Sequence, residues 1–152
     1  MSVLVTGGSG FVGSSLTNFL LKNTKEDIIV LDLNSPKSDQ NSQNLTFFQG
    51  DITSKRDIFR AFQGQKIKAV IHVAGFGLAG SSNLPAFNDI TKKVNVEGTK
   101  NIIEASIKFN VSALGKILHL FNASFIDRDR EYCLEMRILL WHCMVFCGTM
   151  SL

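Results

Sequence analysis

The sequence has little of what disulfide-stabilised or nucleic-acid-binding proteins contain. Of its 152 residues only three are cysteines, and all lie in the last twenty positions, at Cys133, Cys143 and Cys147. An odd number of cysteines in one segment does not form a disulfide framework, which favours a reducing compartment. The formal net charge is only +3 and the basic residues are scattered. The sequence therefore lacks the basic patch that nucleic-acid binding requires.

Apolar runs long enough to span a membrane are also missing. The apolar C-terminal stretch, residues 138–152, has 15 residues and contains His142, whereas a spanning helix needs roughly 20 apolar residues. The first residues lead directly into the strand-like SVLVT, without the basic leader and apolar stretch of a secretory signal. A chain of 152 residues, 45% of them apolar, can bury one core. We therefore expect one cytoplasmic globular domain.

Strand and helix patterns alternate along residues 1–114. Short runs of Val, Ile, Leu and Phe bounded by Gly, Asp or Asn predict strands that are buried on both faces of a parallel sheet. The predicted strands are residues 3–6, 28–32, 45–49 and 69–74. Amphipathic segments predict helices over residues 11–22, 54–62 and 86–109. This order predicts an α/β fold with a doubly wound parallel sheet.

Several side chains in these elements are predicted to serve the fold. Ser54, followed by Asp57, has the spacing of a helix N-cap. His72 lies inside an apolar strand and is predicted to be a core histidine rather than a catalyst. Gly98 interrupts a helix and is predicted to allow close packing against the sheet. The apolar face of the first helix is predicted to consist of Val12, Leu16, Phe19 and Leu20.

The segment VTGGSGFVG joins the first strand to the first helix. We expect Gly7 to permit a tight turn, Gly10 to let a diphosphate approach the backbone, and Gly13 to let helix and strand pack closely. The diphosphate would meet unpaired backbone N–H groups at the positive end of the helix. The loop and helix start between these glycines, residues Ser9, Phe11 and Val12, complete the predicted binding segment. The alternative interpretation is a structural turn.

Asp32 ends the second strand, 19 residues after Gly13. A carboxylate at this position accepts hydrogen bonds from the hydroxyls of an adenosine ribose. It would repel a 2′-phosphate, and no arginine follows in LNSPK. The sequence therefore favours NAD over NADP.

Further candidate residues follow the third and fourth strands and lie in the long helix. Asp51 and Ile52 are placed beside the expected adenine pocket, although Asp51 is equally interpreted as a helix-start residue. Ala74 and Gly75 are small residues at the carboxyl edge where the cofactor is expected. Asn95 lies among apolar neighbours, where its amide needs partners. It either orders water and backbone near a reaction site or satisfies a neighbouring carbonyl.

These motifs resemble those of a known enzyme family. TGGSGFVG resembles the signature of extended short-chain dehydrogenases/reductases, while GDIT, VIHVAGFG and KVNVEGTKNIIEA resemble their 3β-hydroxysteroid dehydrogenase/isomerase branch. The resemblance covers residues 2 to about 114. It implies a Rossmann-like fold and hydride transfer between NAD(P) and a hydroxyl or ketone carbon of a steroid or sterol-like substrate. It assigns nucleotide-binding or supporting roles to Gly7, Gly10, Gly13, Asp32, Asp51, Ala74 and Asn95.

The catalytic pair of that family, Tyr-x-x-x-Lys, is absent. The single tyrosine, Tyr132, is followed four residues later by Met136, and a phenol with no nearby cation is a poor base at neutral pH. We therefore assign no catalytic residue and predict the NAD-binding portion of a truncated 3β-hydroxysteroid dehydrogenase-like oxidoreductase without its own turnover. Three alternatives remain: a dehydrogenase using Tyr132 or His119, with Ser124 as the serine; a non-catalytic dinucleotide-sensing or dimerising module; and a fragment that does not persist.

Residues 115–152 form a divergent apolar tail in which the resemblance ends. KILHLF is either a fifth strand or part of a foreign sequence. His142, Cys143 and Cys147 lack the paired Cys-x-x-Cys spacing of a zinc site, so no metal is predicted. ILLWHCMVFC is a candidate for peripheral contact with a membrane. Because this branch is often membrane-associated, the resemblance implies the endoplasmic reticulum. A homodimer is the other expected partner.

Overall fold

Five parallel strands form the centre of the computed structural model, which describes residues 1–36, 43–76 and 89–116. The strands are β1 Ser2–Thr6, β2 Asp27–Asp32, β3 Leu45–Gln49, β4 Ile67–His72 and β5 Ala113–Lys116. The helices are α1 Phe11–Asn23, α2 Lys55–Phe62, α3 Asp89–Lys92 and α4 Thr99–Lys108, with a π-helical segment, Lys93–Gly98, between the last two.

The strand order is β3-β2-β1-β4-β5, and every neighbouring pair is parallel. The chain moves outward from β1 through β2 to β3, and then returns to place β4 on the other side of β1. The order therefore reverses between β1 and β4, and ligands of open α/β sheets bind at the carboxyl edge of such a reversal. The predicted doubly wound α/β fold is confirmed.

The fifth strand is displaced from its predicted position. It begins at Ala113 and ends at Lys116, so it crosses the predicted boundary between residues 114 and 115. Ala69 to His72 of β4 pair with Ala113 to Lys116. The remainder of KILHLF, residues 117–121, lies outside the described residues.

Helices cover both faces of the sheet. On one face, α1 contributes Val12, Leu16 and Leu20 to a cluster around Val5 and Val30. On the other face, α2 and α4 pack on the remaining strand residues, burying Ile58, Ala61, Phe62, Ile102 and Ala105. The prediction for Phe19 is wrong, because its side chain is 61% exposed. Sheet faces that are both covered explain why the strands read as continuous apolar runs.

The predicted helix over residues 86–109 is interrupted. Residues 86–88 lie outside the described part, and the helix changes to π geometry over Lys93–Gly98 before α4 continues to Lys108. Gly98 is buried there, and a Cβ atom built on it would lie 2.7 Å from Ile52 Cδ1. Gly98 is closely packed as predicted, but its neighbour is Ile52 in the turn after β3 rather than the sheet. Short π segments often occur at functional sites.

The start of α2 shows how Asp51 and Asp57 are used. Ser54 caps the helix by accepting from the Asp57 N–H at 3.3 Å, as its spacing predicted. The Asp57 carboxylate accepts from the Asp51 N–H at 3.2 Å, and the Asp51 carboxylate accepts from the Thr53 N–H at 2.8 Å. The two acids therefore close the turn between β3 and α2.

Candidate functional site

The glycine loop lies at the carboxyl end of β1. Gly7 has a φ of +71°, and its N–H donates to the Leu31 carbonyl at 2.9 Å. A Cβ on Gly7 would approach Ala74 N to 2.6 Å, and one on Gly13 would approach Gly7 O to 1.9 Å. A Cβ on Gly10 would meet nothing closer than Gly7 O at 3.4 Å. Gly7 and Gly13 are therefore required for packing, while Gly10 keeps the exposed side of the loop open.

The first turn of α1 is suited to an anion. The Ser14 N–H donates to the Gly10 carbonyl at 2.8 Å, which is the first bond of the helix. The preceding N–H groups, of Phe11, Val12 and Gly13, have no carbonyl partner within the helix. Gly10 caps the helix without a side chain, and the first turn contains no acidic residue. No acidic side chain of the helix itself therefore compensates the positive end of its dipole.

The side chains of the predicted loop differ in what they offer a ligand. Val12 packs towards the core and offers mainly its backbone, whereas Phe11 is 93% exposed. The Ser9 hydroxyl is buried and has no hydrogen-bond partner among the described residues. An unsatisfied hydroxyl in this loop is consistent with a site that a polar ligand completes.

Asp32 fixes the second side of the cleft. One carboxylate oxygen accepts from the Ser9 N–H at 3.0 Å, and the other accepts from the Asn34 N–H at 3.1 Å. Each carboxylate oxygen has a second lone pair, so both still have acceptor capacity for a ligand hydroxyl. The acid that sequence spacing selected therefore contacts the glycine loop directly.

The loop after β4 is the third side. Ala74 N–H donates to the Thr6 carbonyl at 3.0 Å, which joins this loop to the end of β1. The Asn95 amide accepts from the Phe76 N–H and donates to the Phe76 carbonyl, both at 2.8 Å. A Cβ on Gly75 would lie 3.3 Å from Asn95 Oδ1. Of the two interpretations of Asn95, the structure shows the amide satisfying neighbouring backbone and holding this loop.

The adenine-pocket residues are used by the fold. Asp51 closes a turn, and the Ile52 side chain, only 6% exposed, belongs to the core. Ile52 can offer a ligand its backbone only, and its carbonyl already accepts from Asn101 Nδ2 at 3.1 Å. A contact of these residues with adenine stays a prediction.

A chain of polar side chains, which the sequence patterns did not identify, lies behind the cleft. Thr6, His72 and Lys116 are adjacent in register at the carboxyl ends of β1, β4 and β5. His72 Nδ1 lies 2.6 Å from Thr6 Oγ1, and His72 Nε2 lies 3.1 Å from Thr99 Oγ1. Thr99 Oγ1 donates to the Asn95 carbonyl at 2.6 Å and accepts from Lys116 Nζ at 2.5 Å. The signal was polar residues in apolar strands, since buried polar groups need partners.

The hydrogen bonds assign the His72 tautomer. The Thr99 hydroxyl proton is used on the Asn95 carbonyl, so His72 Nε2 must be the donor to Thr99 Oγ1. Nδ1 is then the acceptor, and Thr6 donates to it. Burial, together with the smaller effect of the positive charge of Lys116, lowers the pKa of His72 to about 3. The predicted core role of His72 is confirmed, and the ring is neutral.

Two buried threonines allow the same substitution, Thr→Val, to be tested where we expect opposite effects on the free energy of unfolding. Thr17 is fully buried on α1, and its hydroxyl has no hydrogen-bond partner among the described residues. We expect Thr17→Val to raise the free energy of unfolding by about 1 kcal/mol, because it removes an unsatisfied buried hydroxyl. We expect Thr99→Val to lower it by about 2 kcal/mol, because His72 and Lys116 lose their partner. Urea denaturation measures both, and a Thr17→Val loss as large as that of Thr99→Val would contradict the assignment.

Several predicted features fall outside the described residues. These are the alternative catalytic residues His119, Ser124 and Tyr132, and the tail positions His142, Cys143 and Cys147. Within the described ranges, no group of three or more His, Cys, Asp or Glu side chains could hold a metal ion. Among the helices of those ranges, none is long and apolar enough to cross a bilayer.

The sheet order and glycine loop define a Rossmann-like dinucleotide-binding fold. The model of the 3-beta hydroxysteroid dehydrogenase/isomerase family matches residues 4–115, and the chain belongs to this family. The resemblance given by its motifs is thereby confirmed.

Two relatives illustrate the similarity in sequence. Human short-chain dehydrogenase/reductase family 42E member 1 is 36% identical over 113 residues, which cover 74% of this chain and 28% of the relative. A decarboxylating sterol-4-alpha-carboxylate 3-dehydrogenase of Schizosaccharomyces pombe is 38% identical over 118 residues, covering 74% of this chain and 32% of the relative. The chain therefore spans about a third of the length of these curated relatives.

Solved structures show the same fold. The UDP-glucose 4-epimerase of Thermus thermophilus in complex with NAD matches with a TM-score of 0.64 and 32% sequence identity. The match covers 75% of this chain and 36% of the epimerase. The epimerase is in complex with NAD, and the part of it that matches has the same fold as this chain.

Proposed function

We propose that this chain binds NAD through its glycine loop and Asp32, as the nucleotide-binding part of a sterol-directed oxidoreductase. The observation that carries the proposal is the contact between the two predicted halves of the site. The Asp32 carboxylate accepts from the Ser9 N–H of the glycine loop at 3.0 Å, beside a helix start with unpaired N–H groups. The diphosphate would lie on these N–H groups, and the ribose would lie at Asp32.

The residues present fit this coenzyme. Gly10 leaves the exposed side of the loop open for a ligand. A methyl group at this position would not clash with the protein, but it would occupy the space on that side. The absence of an acid in the first turn of α1 favours an anion. Asp32 disfavours a 2′-phosphate by charge repulsion, which supports NAD over NADP. The matched epimerase structure, which contains NAD, supports the same choice.

The proposal is tested by calorimetric titration of the full chain with NAD and NADP. We expect heat of binding with NAD and much weaker binding of NADP. Asp32→Asn should weaken NAD binding about 10- to 100-fold, because charge-assisted hydrogen bonds are worth about 1.5–3 kcal/mol. The same substitution should reduce the ratio of the affinity for NAD to the affinity for NADP.

The matched control is Asp27→Asn, at the exposed opposite end of the same strand. It removes the same charge and should leave both titrations unchanged. If folded protein gives no heat of binding with NAD, the proposal is overturned. An equal effect of the two substitutions on NAD binding also overturns it.

The substrate class and the lack of turnover are further parts of the proposal. Membership of the 3-beta hydroxysteroid dehydrogenase/isomerase family and the sterol dehydrogenase relative support a CH–OH group of a steroid or sterol-like molecule. Because the 152 residues contain no Tyr-x-x-x-Lys pair, we propose that the chain binds coenzyme without oxidising the sterol. NADH formation from a 3β-hydroxysterol by the purified chain would contradict this. Ligand-dependent dimerisation in the absence of turnover would support a sensing role instead.

The proposed location is the cytoplasm, with contact at the endoplasmic reticulum membrane through residues 115–152. The apolar composition of that tail and the sterol dehydrogenase relative support this location. Fractionation of cells that express the tagged chain tests it.

A further inference from the structure

Lys116 is a partly buried amine at the carboxyl end of β5, and its hydrogen-bond partners among the described residues are neutral. Its Nζ donates to Thr99 Oγ1 at 2.5 Å and to the Asn95 carbonyl at 3.4 Å. The ion pairs between described residues involve the N-terminus, Lys55 and Lys68, and none involves Lys116. A cation held only by neutral oxygens is poorly compensated for its loss of water.

The charged groups around Lys116 do not change this balance. On β4, its register neighbour His72 is neutral. The charged residues Glu97, Lys100 and Glu104 line a different groove, together with Lys55, and Lys116 does not line that groove. Burial lowers the pKa of Lys116 to about 8. In a substantial fraction of the molecules, Lys116 is therefore a neutral amine near physiological pH.

The hydrogen bonds also determine which part of the amine is free. A neutral amine has two N–H donors and one lone pair. The Thr99 hydroxyl oxygen and the Asn95 carbonyl oxygen take the two donors. The nitrogen lone pair is then left for a reaction.

We propose that the Lys116 amine is a reversible imine-forming site for small aldehydes. The nitrogen lone pair attacks the carbonyl carbon, a C–N bond forms, and the carbonyl oxygen takes up a proton to give a carbinolamine. Loss of this hydroxyl as water, together with the nitrogen proton, gives the imine without any oxidant or reductant. Desolvated lysines are activated as nucleophiles in this way. The amine is held by Thr99 and the Asn95 carbonyl, and the glycine loop supplies none of these contacts.

The test is labelling of the full chain with formaldehyde and cyanoborohydride, in which the hydride reduces the imine and traps it on the lysine. Peptide mass spectrometry gives the rate for each lysine. At pH 7.5 a lysine with a pKa of about 8 is about one quarter neutral, against about 0.1% for an ordinary lysine. We expect Lys116 to react about tenfold or more faster than exposed Lys22 and Lys66.

Two controls keep the result specific. The fast phase should amount to one label per chain, should disappear in Lys116→Arg, and should rise with pH to a midpoint near 8. In concentrated guanidinium chloride the advantage of Lys116 should vanish, because its burial is lost. Labelling of Lys116 at or below the rate of the exposed lysines in the native chain overturns the proposal. NAD titration is measured separately, so failure of either proposal is distinguishable from failure of the other.

Discussion

Gly13→Ala is expected to lower the free energy of unfolding by about 3 kcal/mol, the largest loss that we expect from adding one methyl group to this chain. The new Cβ would lie 1.9 Å from the Gly7 carbonyl oxygen and 2.8 Å from Gly8 Cα. Backbone atoms cannot rotate away as a flexible side chain can, so α1 must move away from the glycine loop. Urea denaturation followed by circular dichroism measures the loss.

Gly10→Ala is the matched control for this substitution. It adds the same methyl group three residues earlier, where the nearest atom is Gly7 O at an ordinary 3.4 Å. We expect a change in stability of about 1 kcal/mol or less and at least about tenfold weaker NAD binding, because the methyl group stands where the diphosphate must approach. Equal stability losses for the two variants would show that α1 does not pack on the loop as described.

The second large effect is an acid-dependent loss of stability caused by His72. Its folded pKa is about 3, below the ordinary value of 6.5, so the unfolded chain binds the proton more readily. Stability from this group is therefore present above pH 6.5 and is lost as the pH falls towards 3. Between pH 7 and pH 5 we expect a decrease of about 2 kcal/mol from this group.

The measurement compares unfolding free energies at several pH values for the native chain and His72→Gln. The variant retains a hydrogen-bonding side chain and loses the titrating ring, so its curve should be flatter by about 2 kcal/mol over that range. His119 and His142 remain in both proteins, and their contributions cancel in the comparison. Parallel curves would show that the ring accepts a proton in the folded state as readily as in the unfolded state.

Local sequence was sufficient for the order of elements and for the glycine loop. Apolar runs bounded by turn residues predicted β1 to β4 because a parallel strand buried on both faces leaves a continuous pattern. Gly7, Gly13 and Asp32 were identified because their roles follow from the turn, the helix start and the strand end at fixed spacing. These constraints act over a few residues, and they can be seen without the fold.

Element boundaries depended on contacts that the periodicity does not contain. Phe19 has helical spacing with Val12 and Leu16, yet it is exposed because the buried stripe of α1 is centred on Gly13 and Thr17. The π segment arises where Gly98 meets Ile52, which is distant in sequence. β5 begins at Ala113 because pairing with β4 decides its position.

The sequence alone determined that this chain is an α/β domain of one family, since a glycine loop and buried strands are local properties. The tertiary structure alone decided the roles of Thr6, Thr99 and Lys116, which lie on three separate elements. They meet His72 only because parallel strands end at the same edge of the sheet. Burial and the positive charge of Lys116 keep His72 neutral, and burial lowers the pKa of Lys116.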